Sequence, residues 1–569
     1  MIAFCKTDSK ARYDWSEWTL IGFVILTSIL YILISGKRSF NFDEFQVLYA
    51  SAALLRGKAL YADRIGIHFP LVNILYSILI CLGGFKAVVM LTGRYFIICI
   101  NAITLWYIYR IGYFLWNRKT GIMAVVLTLV TVTFMQKGIE IRHDVFNTMF
   151  NVVGAYYALR YVNWKKYRHL IMSGLFCGLA IASTQKAMVW SAGIILGVIL
   201  QDLRSGSYKE IIKVVSSYIA MILLPLIICF AYLILVKNEN IVSIYKHSFI
   251  NTIIAFSPQT QTAYPFPHSR YGLLKILFSQ NPLFYTIGIG GIVWLGISCI
   301  RNDSEKIVLI SWTTIGLLFY LIVKRPFYQS FLPTIPPLAI VASGFLIWIK
   351  EKVKNIQSYQ KWIVYILCAF FLFAWPFYFI AKVAFGAATM DRQIDSVSFC
   401  LDVLKEDEKV MCLTQNQIFF DQILDIYGTE CGKNIFFWDP KCFERKMIKE
   451  QCKIVIYEYR TSLLNKRIQN MIKDNYVYTK IGEILIPGFT IPPKKFIEKN
   501  IWIDGYYYSL NSSLIIDGKR FNGNFVRLDQ KRHTIHNLSD KDALLVYIFN
   551  QDEVIKNKNL LDTYINSMF

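Results

Sequence analysis

Apolar runs long enough to cross a bilayer recur along the first 390 residues, near 18–34, 88–115, 120–137, 145–162, 170–184, 187–203, 214–236, 283–300, 305–323, 329–349 and 362–386. They predict a polytopic α-helical membrane protein with about eleven spans, up to thirteen if marginal segments cross. The run 70–84 (PLVNILYSILICLGG) is such a segment, either a marginal span or a helix lying at the interface. From about 391 the period changes. Short apolar runs (KVMCL, NIFFW, KIVIYEY) alternate with helical patterns (FFDQILDIY, LLNKRIQNMIK), which predicts a small α/β layer. Between 501 and 550 the chain reads as strands punctuated by DG and NG turn signals, which predicts a small β-sandwich. The expected division is 1–390, 391–500 and 501–569.

Composition agrees with a membrane chain. Of the 569 residues 55% are hydrophobic and only 17% charged, against about 25% charged in ordinary soluble domains. The net charge of +23 would suggest nucleic acid in a soluble protein. Here the cations gather in short loops (Arg118–Lys119, Lys165–Lys166–Arg168, Arg204 to Lys213, Arg301 to Lys306, Lys350 to Lys361), which the positive-inside rule reads as cytoplasmic. The loop after the first span, the 138–144 turn, Lys186, the 237–282 loop and the tail then fall outside. Lys6, Lys10 and Arg12 precede the first run without a small-residue cleavage site, so that run is expected to be a retained span. Twelve cysteines include no CxxC. Cys431 and Cys442 pair if the tail is extracytoplasmic, or stay as buried thiols. Sequons stand at Asn511 and Asn537.

Chemistry concentrates in the first outer loop, SFNFDEFQVLYASAALLRGKALYADRIGIHFPLVN. Adjacent Asp43 and Glu44 at the mouth of a membrane cavity suit a general base, a cation site or a holder of sugar hydroxyls, and equally a solvated loop charge. Arg94 sits about two turns into its span, where an idle charge is costly, so an anionic partner is expected. Arg142, Asp144, Lys186, Lys324, Arg325 and Tyr328 are predicted on the same face. Converging cations there suit a lipid-linked phosphate, although each alone also fits a snorkelling side chain. His68 suits a phosphate, a metal or a structural hydrogen bond. No HExxH, Walker loop or strand-following GxGxxG occurs.

The run FDEFQVLYASAALLRGKALYADRIGIHFP resembles the first outer loop of GT-C glycosyltransferases of family 39, which include protein O-mannosyltransferases and the aminoarabinose transferases that modify lipid A. In that pattern an Asp-Glu pair precedes an alanine-rich helix, Gly-x-x-Tyr-x-Asp and a proline, matched by Gly57, Tyr61, Asp63 and Pro70. Arg94, Arg142–Asp144, Lys186 and YQSFLPTIPPLAIVASG continue the match over roughly the first 390 residues. The chain departs at Ile67-His68-Phe69-Pro70. Aminoarabinose transferases carry a Glu-Lys-Pro-Pro-like sequence there, so a metal-binding Glu is missing and His68 replaces a phosphate-binding Lys. The 237–282 loop is too short for the lumenal domain of eukaryotic O-mannosyltransferases, which favours a bacterial member.

The resemblance implies inverting transfer of a sugar from a polyprenyl-phosphate donor to a lipid, glycan or protein acceptor outside the bacterial inner membrane. Asp43 would be the general base and Glu44 its support. Arg94 and Lys186 would stabilise the leaving phosphate, with Arg142 and His68 behind them, and Asp144, Asp63, Tyr61 and Tyr328 would complete the substrate site. The lipid-linked sugar is a substrate, a divalent metal is left open, and no nucleic acid is expected. The rival readings are a transporter or lipid-linked-sugar flippase and an inactive acceptor-binding protein. Inverted repeats, which a carrier predicts, are not evident in the sequence.

Overall fold

The structure is a computed structural model. It describes residues 14–63, 65–66, 68–204, 208–250, 269–301, 306–322, 327–352, 367, 370–386, 390–423, 438–481, 483–509, 513–521, 525–549, 551 and 568. Lys324, Arg325, Cys431 and Asn511 lie outside these residues.

The helices α1 (Trp15–Lys37), α2 (Phe42–Leu55), α3 (Leu71–Gly83), α4 (Val89–Leu115), α5 (Arg118–Leu129), α6 (Val132–Lys137), α7 (His143–Trp164), α8 (Tyr167–Ser183), α9 (Ala187–Arg204) and α10 (Tyr208–Lys237) open the chain. Helices Pro282–Arg301, Ile307–Ile322, Ile335–Lys352 and Trp375–Gly386 follow. Six of the described helices are long and apolar enough to cross a membrane by themselves. Two of the other expected spans, α7 and α8, lie in the middle of the bundle. There α7 buries Asn147, Thr148 and Asn151 among its neighbours, which lowers its hydropathy without exposing a polar group to lipid. The run expected over 120–137 breaks at 130–131 into α5 and α6. At 13 residues, α3 extends about 20 Å, short of a ~30 Å hydrocarbon layer. It therefore does not cross alone. Exposed Ile219, Leu223, Ile227 and Leu235 on α10 present the apolar outer surface.

Small residues let the helices approach closely. A Cβ on Gly178 of α8 would lie 2.8 Å from Ile222 Cα of α10, and one on Gly197 of α9 2.5 Å from Val308 Cα. This is the small-residue packing expected where lipid removes the hydrophobic drive between helices.

The cation-rich loops collect at one end. Arg118 pairs with Glu17 at 2.8 Å and Lys119 with Asp14 at 2.8 Å, both at the start of α1. Lys165 pairs with Asp202, and Lys306 lies 5.2 Å from the Trp116 ring. The segment carrying Asp43 leaves the other end of α1, about 34 Å away along 23 residues.

The tail begins with helix Asp391–Val403. A six-stranded sheet follows, ordered β10-β7-β12-β5-β3 with β4 also on β5. Its strands are β3 (Val455–Ile456), β4 (Tyr476–Tyr478), β5 (Ile484–Ile491), β7 (Gly505–Ser509), β10 (Phe525–Leu528) and β12 (Ala543–Tyr547). A four-stranded sheet, β6-β11-β8-β9, packs nearby, built from Phe496–Asn500, Arg532–Asn537, Leu514–Ile516 and Lys519–Phe521. Asp517 and Gly518 turn the β8–β9 hairpin with φ of 50° and 79°, the primed turn that a DG pair favours. Because β5 pairs with β12, the division expected at 500/501 runs through one sheet. Cys442 is disulfide-bonded, while the other described cysteines are free thiols.

The tail docks on the Asp43 side. Met390 N–H donates to Lys37 O at 3.1 Å, Phe419 meets Phe85 edge-on at 5.3 Å, and Asp421 pairs with Arg56 at 3.3 Å and Lys58 at 2.9 Å. Within the tail, buried Glu458 accepts backbone N–H bonds from Leu413 at 3.1 Å and Arg460 at 2.8 Å. Burial pushes its carboxyl up to about 7, the Arg460 N–H and charge opposing that rise. A carboxyl that titrates higher folded than unfolded favours the fold below the ordinary value of 4.5, and that contribution is lost as pH rises through about 7. The stability of the purified chain is expected to fall between those pH values by up to ~3 kcal/mol from this group. Thermal melting of wild type and Glu458→Gln across that range checks it, since the variant loses this part of the pH dependence.

Candidate active site

The loop after α1 is shaped by the start of α2. Asn41 caps that helix, its side chain accepting from Asp43 N at 2.9 Å and Glu44 N at 3.2 Å. The Glu44 carboxylate returns a bond from Asn41 N at 3.0 Å, completing a capping box. Both acids stand in the first turn, where the helix dipole favours negative charge. At the far end Gly57 has φ +82°, a left-handed turn that a Cβ would strain.

The two acids differ sharply. Glu44 is fully buried, and Arg94 forks onto it through Nε at 2.9 Å and Nη2 at 2.8 Å. Ile141 N–H adds a third donor at 3.1 Å. The remaining Arg94 N–H groups reach the carbonyls of Ser35 at 2.9 Å, Ser39 at 3.0 Å and Arg38, and the guanidinium lies 3.8 Å over the Phe40 ring. All five guanidinium N–H groups thus have acceptors. Arg94 finds the anionic partner its depth demanded, with no N–H left over for a phosphate in this arrangement.

Asp43, next along the same turn, keeps 38% of its side chain exposed and pairs with Arg142. Arg142 in turn pairs with fully buried Glu140, which also meets Lys137 at 2.9 Å and Arg38 at 3.2 Å. Against the cost of burial, Lys137, Arg142 and Arg38 hold the Glu140 carboxyl well below the ordinary range. Glu140 therefore fixes Arg142, which fixes Asp43.

A second cation faces the same region. Among the described residues Lys186 Nζ has only long contacts, 3.4 Å to Ser330 Oγ and 4.0 Å to Asp144 Oδ1, and lies 5.8 Å from the Phe327 ring. Asp144 Oδ1 is buried without a hydrogen-bond donor. The His68 ring lies 4.4 Å from that of His143, with the Thr184 hydroxyl 3.4 Å from Nδ1. Burial, with His143 and Lys186 adding to it, pushes the His68 imidazole well below its ordinary value, so it is neutral. Gln46, one turn on from Asp43, lines a small cleft with Ala50, Ile65, His68, Asn73 and His143, and among the described residues its Nε2 has no acceptor.

The structure thus brings Asp43, Glu44, Arg94, Arg142, Asp144, Lys186 and His68 together. Three candidates are placed otherwise. Tyr61 is buried and donates to His68 O at 2.7 Å, and exposed Asp63 accepts from Ala59 N at 2.8 Å, so both shape the turn. Tyr328 donates to Gln280 Oε1 at 2.6 Å. Glu140 and Gln46 are additions that the sequence reading missed. Glu140, two residues before Arg142, carried no spacing signal. Among the described residues no three His, Cys, Asp or Glu side chains gather to hold a metal ion.

Comparison with known proteins places this geometry. Residues 68–234 match the family described as dolichyl-phosphate-mannose-protein mannosyltransferase. No curated protein matches the chain. Among solved structures, apo ArnT from Cupriavidus metallidurans matches with a TM-score of 0.56 at 11% identity, covering 83% of this chain and 98% of that one. The same protein bound to undecaprenyl phosphate matches with a TM-score of 0.51 at 12% identity, covering 71% and 85%. The apo oligosaccharyltransferase of Archaeoglobus fulgidus matches with a TM-score of 0.53 at 11% identity, covering 82% and 74%. The chain therefore shares the fold of these membrane proteins, and its 68–234 segment is similar to the mannosyltransferase family.

Proposed function

We propose that the chain is a membrane glycosyltransferase that moves a sugar from a polyprenyl-phosphate donor to an acceptor hydroxyl, with inversion. The observation that carries this reading is the unequal fate of the acid pair: Glu44 is wholly consumed inside the protein, while Asp43 stays partly exposed beside it. One relative was solved with undecaprenyl phosphate, and the archaeal oligosaccharyltransferase with a dolichol-phosphate and an inhibitory peptide.

In this reading the acceptor oxygen attacks the anomeric carbon as Asp43 takes its proton. The bond from that carbon to the phosphate oxygen breaks, and its electron pair stays on the polyprenyl phosphate. Lys186, with its long contacts, is the cation best placed to meet the charge that develops there, and a positioned donor of this kind supplies ~2–4 kcal/mol. Arg94 acts one step back, holding the loop that presents Asp43. The neutral polar groups of the cleft (Gln46, His68, Asn73) suit sugar hydroxyls. The catalytic unit is 1–390, with the tail on the same side. The cationic loops at the opposite end and the Cys442 disulfide support an extracytoplasmic active site in a bacterial inner membrane.

Release of polyprenyl phosphate from a panel of polyprenyl-phosphate sugars, in membranes carrying each variant, tests this. Asp43→Asn is expected to cut turnover by about 10³-fold while donor binding persists. Lys186→Met is expected to cost about 10²–10³-fold. Wild-type turnover in Asp43→Asn would remove Asp43 as the base.

A further inference from the structure

The tail does more than lie near the outer loop; it grips the residues around Asp43. The Gln393 carboxamide brackets the backbone of Phe40, accepting from Phe40 N at 2.6 Å and donating to Phe40 O at 3.0 Å. The guanidinium of Arg460 lies 3.4 Å from the centroid of the Phe42 ring. Two aromatic residues therefore flank the Asn41 cap, and each carries an arginine: Arg94 of the membrane bundle on Phe40, Arg460 of the tail on Phe42.

Arg460 is itself built into place. Its Nε donates to the Tyr459 hydroxyl at 3.1 Å and its Nη1 to Leu413 O at 3.4 Å. Its backbone N–H is held by Glu458. Its neighbour Tyr459 is 59% exposed. The Asp43 charge acts on the Tyr459 hydroxyl, so the tail lies within the field of Asp43 itself. A guanidinium stacked on one ring attracts it most strongly when desolvated, which favours one arrangement of a short loop.

We propose that Gln393 and Arg460 are positioning residues that complete the active site from the tail, holding Phe40 and Phe42 so that Asp43 stays against Arg142. The proposal rests on Asp43 being the base. The membrane half supplies the chemistry, and the tail sets where the base stands. Loss of either contact lets the start of α2 loosen, so Asp43 spends less time in ion-pair contact with Arg142. The charged and titratable groups facing Asp43 are Arg142, His143 and Tyr459.

Full-length wild type, Arg460→Met, Arg460→Lys, Gln393→Ala and Asp43→Asn, purified in detergent, are compared using the polyprenyl-phosphate sugar turned over fastest in the panel above. Polyprenyl phosphate release is followed against pH, and binding of bare polyprenyl phosphate is measured beside it. Arg460→Met and Gln393→Ala are expected to lower kcat about tenfold or more with little change in donor KM. Bare polyprenyl phosphate should bind as in wild type. Arg460→Lys, which keeps a cation over Phe42, should recover part of the loss. Variants that match wild type across the pH range overturn the proposal. So does a fall in kcat that Lys does not rescue, or one matched by a rise in donor KM, which would mark a merely structural contact. Variants that no longer bind bare polyprenyl phosphate have lost the fold of the site, and this too overturns a specific positioning role. A wild type that releases nothing from any donor fails the parent reading instead, and that result is separate because it appears before any variant is compared.

Discussion

The buried ion pair between Glu44 and Arg94 is the constraint on which the rest of the site depends. Neither charge reaches water, and the desolvation of such a pair is recovered only when the geometry is good and every remaining donor is met. Here it is met: the fork onto the carboxylate, three loop carbonyls and one aromatic face take up the guanidinium. The consequence is geometric. The 35–44 loop is fixed to α4 at one depth, because moving it would leave a charge uncompensated in a buried setting.

That fixed loop explains how two adjacent acids divide their work. Successive residues at a helix start point about 100° apart, so when Glu44 turns inward to Arg94 its neighbour must turn elsewhere. Asp43 turns toward Arg142 and the open side. A chain of alternating charges, Glu140 to Arg142 to Asp43, then holds the exposed acid without burying it. Lys186 stands beyond, braced by Asp144 and by the turn that carries Phe327 and Ser330. The proposed base and the proposed leaving-group cation thus come from separate elements brought together by the bundle.

Much of this was legible in the sequence, and the gaps have physical reasons. Apolar runs mark helices because lipid and core both demand them, and the Asp517–Gly518 hairpin was readable because its turn needs two positive φ values. Arg94 announced a partner through the cost of its burial, yet nothing local could say that the partner is Glu44, 50 residues earlier. Composition counts a cation but not how many of its donors are spent, and in this structure all five Arg94 N–H groups have acceptors. Tyr61 and Asp63 matched a motif whose geometry proves to be a turn. One sheet spans the expected boundary at 500, because β5 pairs with β12 more than 50 residues later, a pairing with no local signal.

The most direct test of the clamp is a double-mutant cycle on Glu44→Gln and Arg94→Met, read both as thermal stability and as turnover. If the pair holds the loop as one unit, each single change strands a buried charge and costs ~3–5 kcal/mol. The double variant should then recover much of that stability while turnover stays low, because the loop is no longer fixed. Additive losses in stability, or near-normal turnover in the double variant, would contradict a clamp made by these two residues.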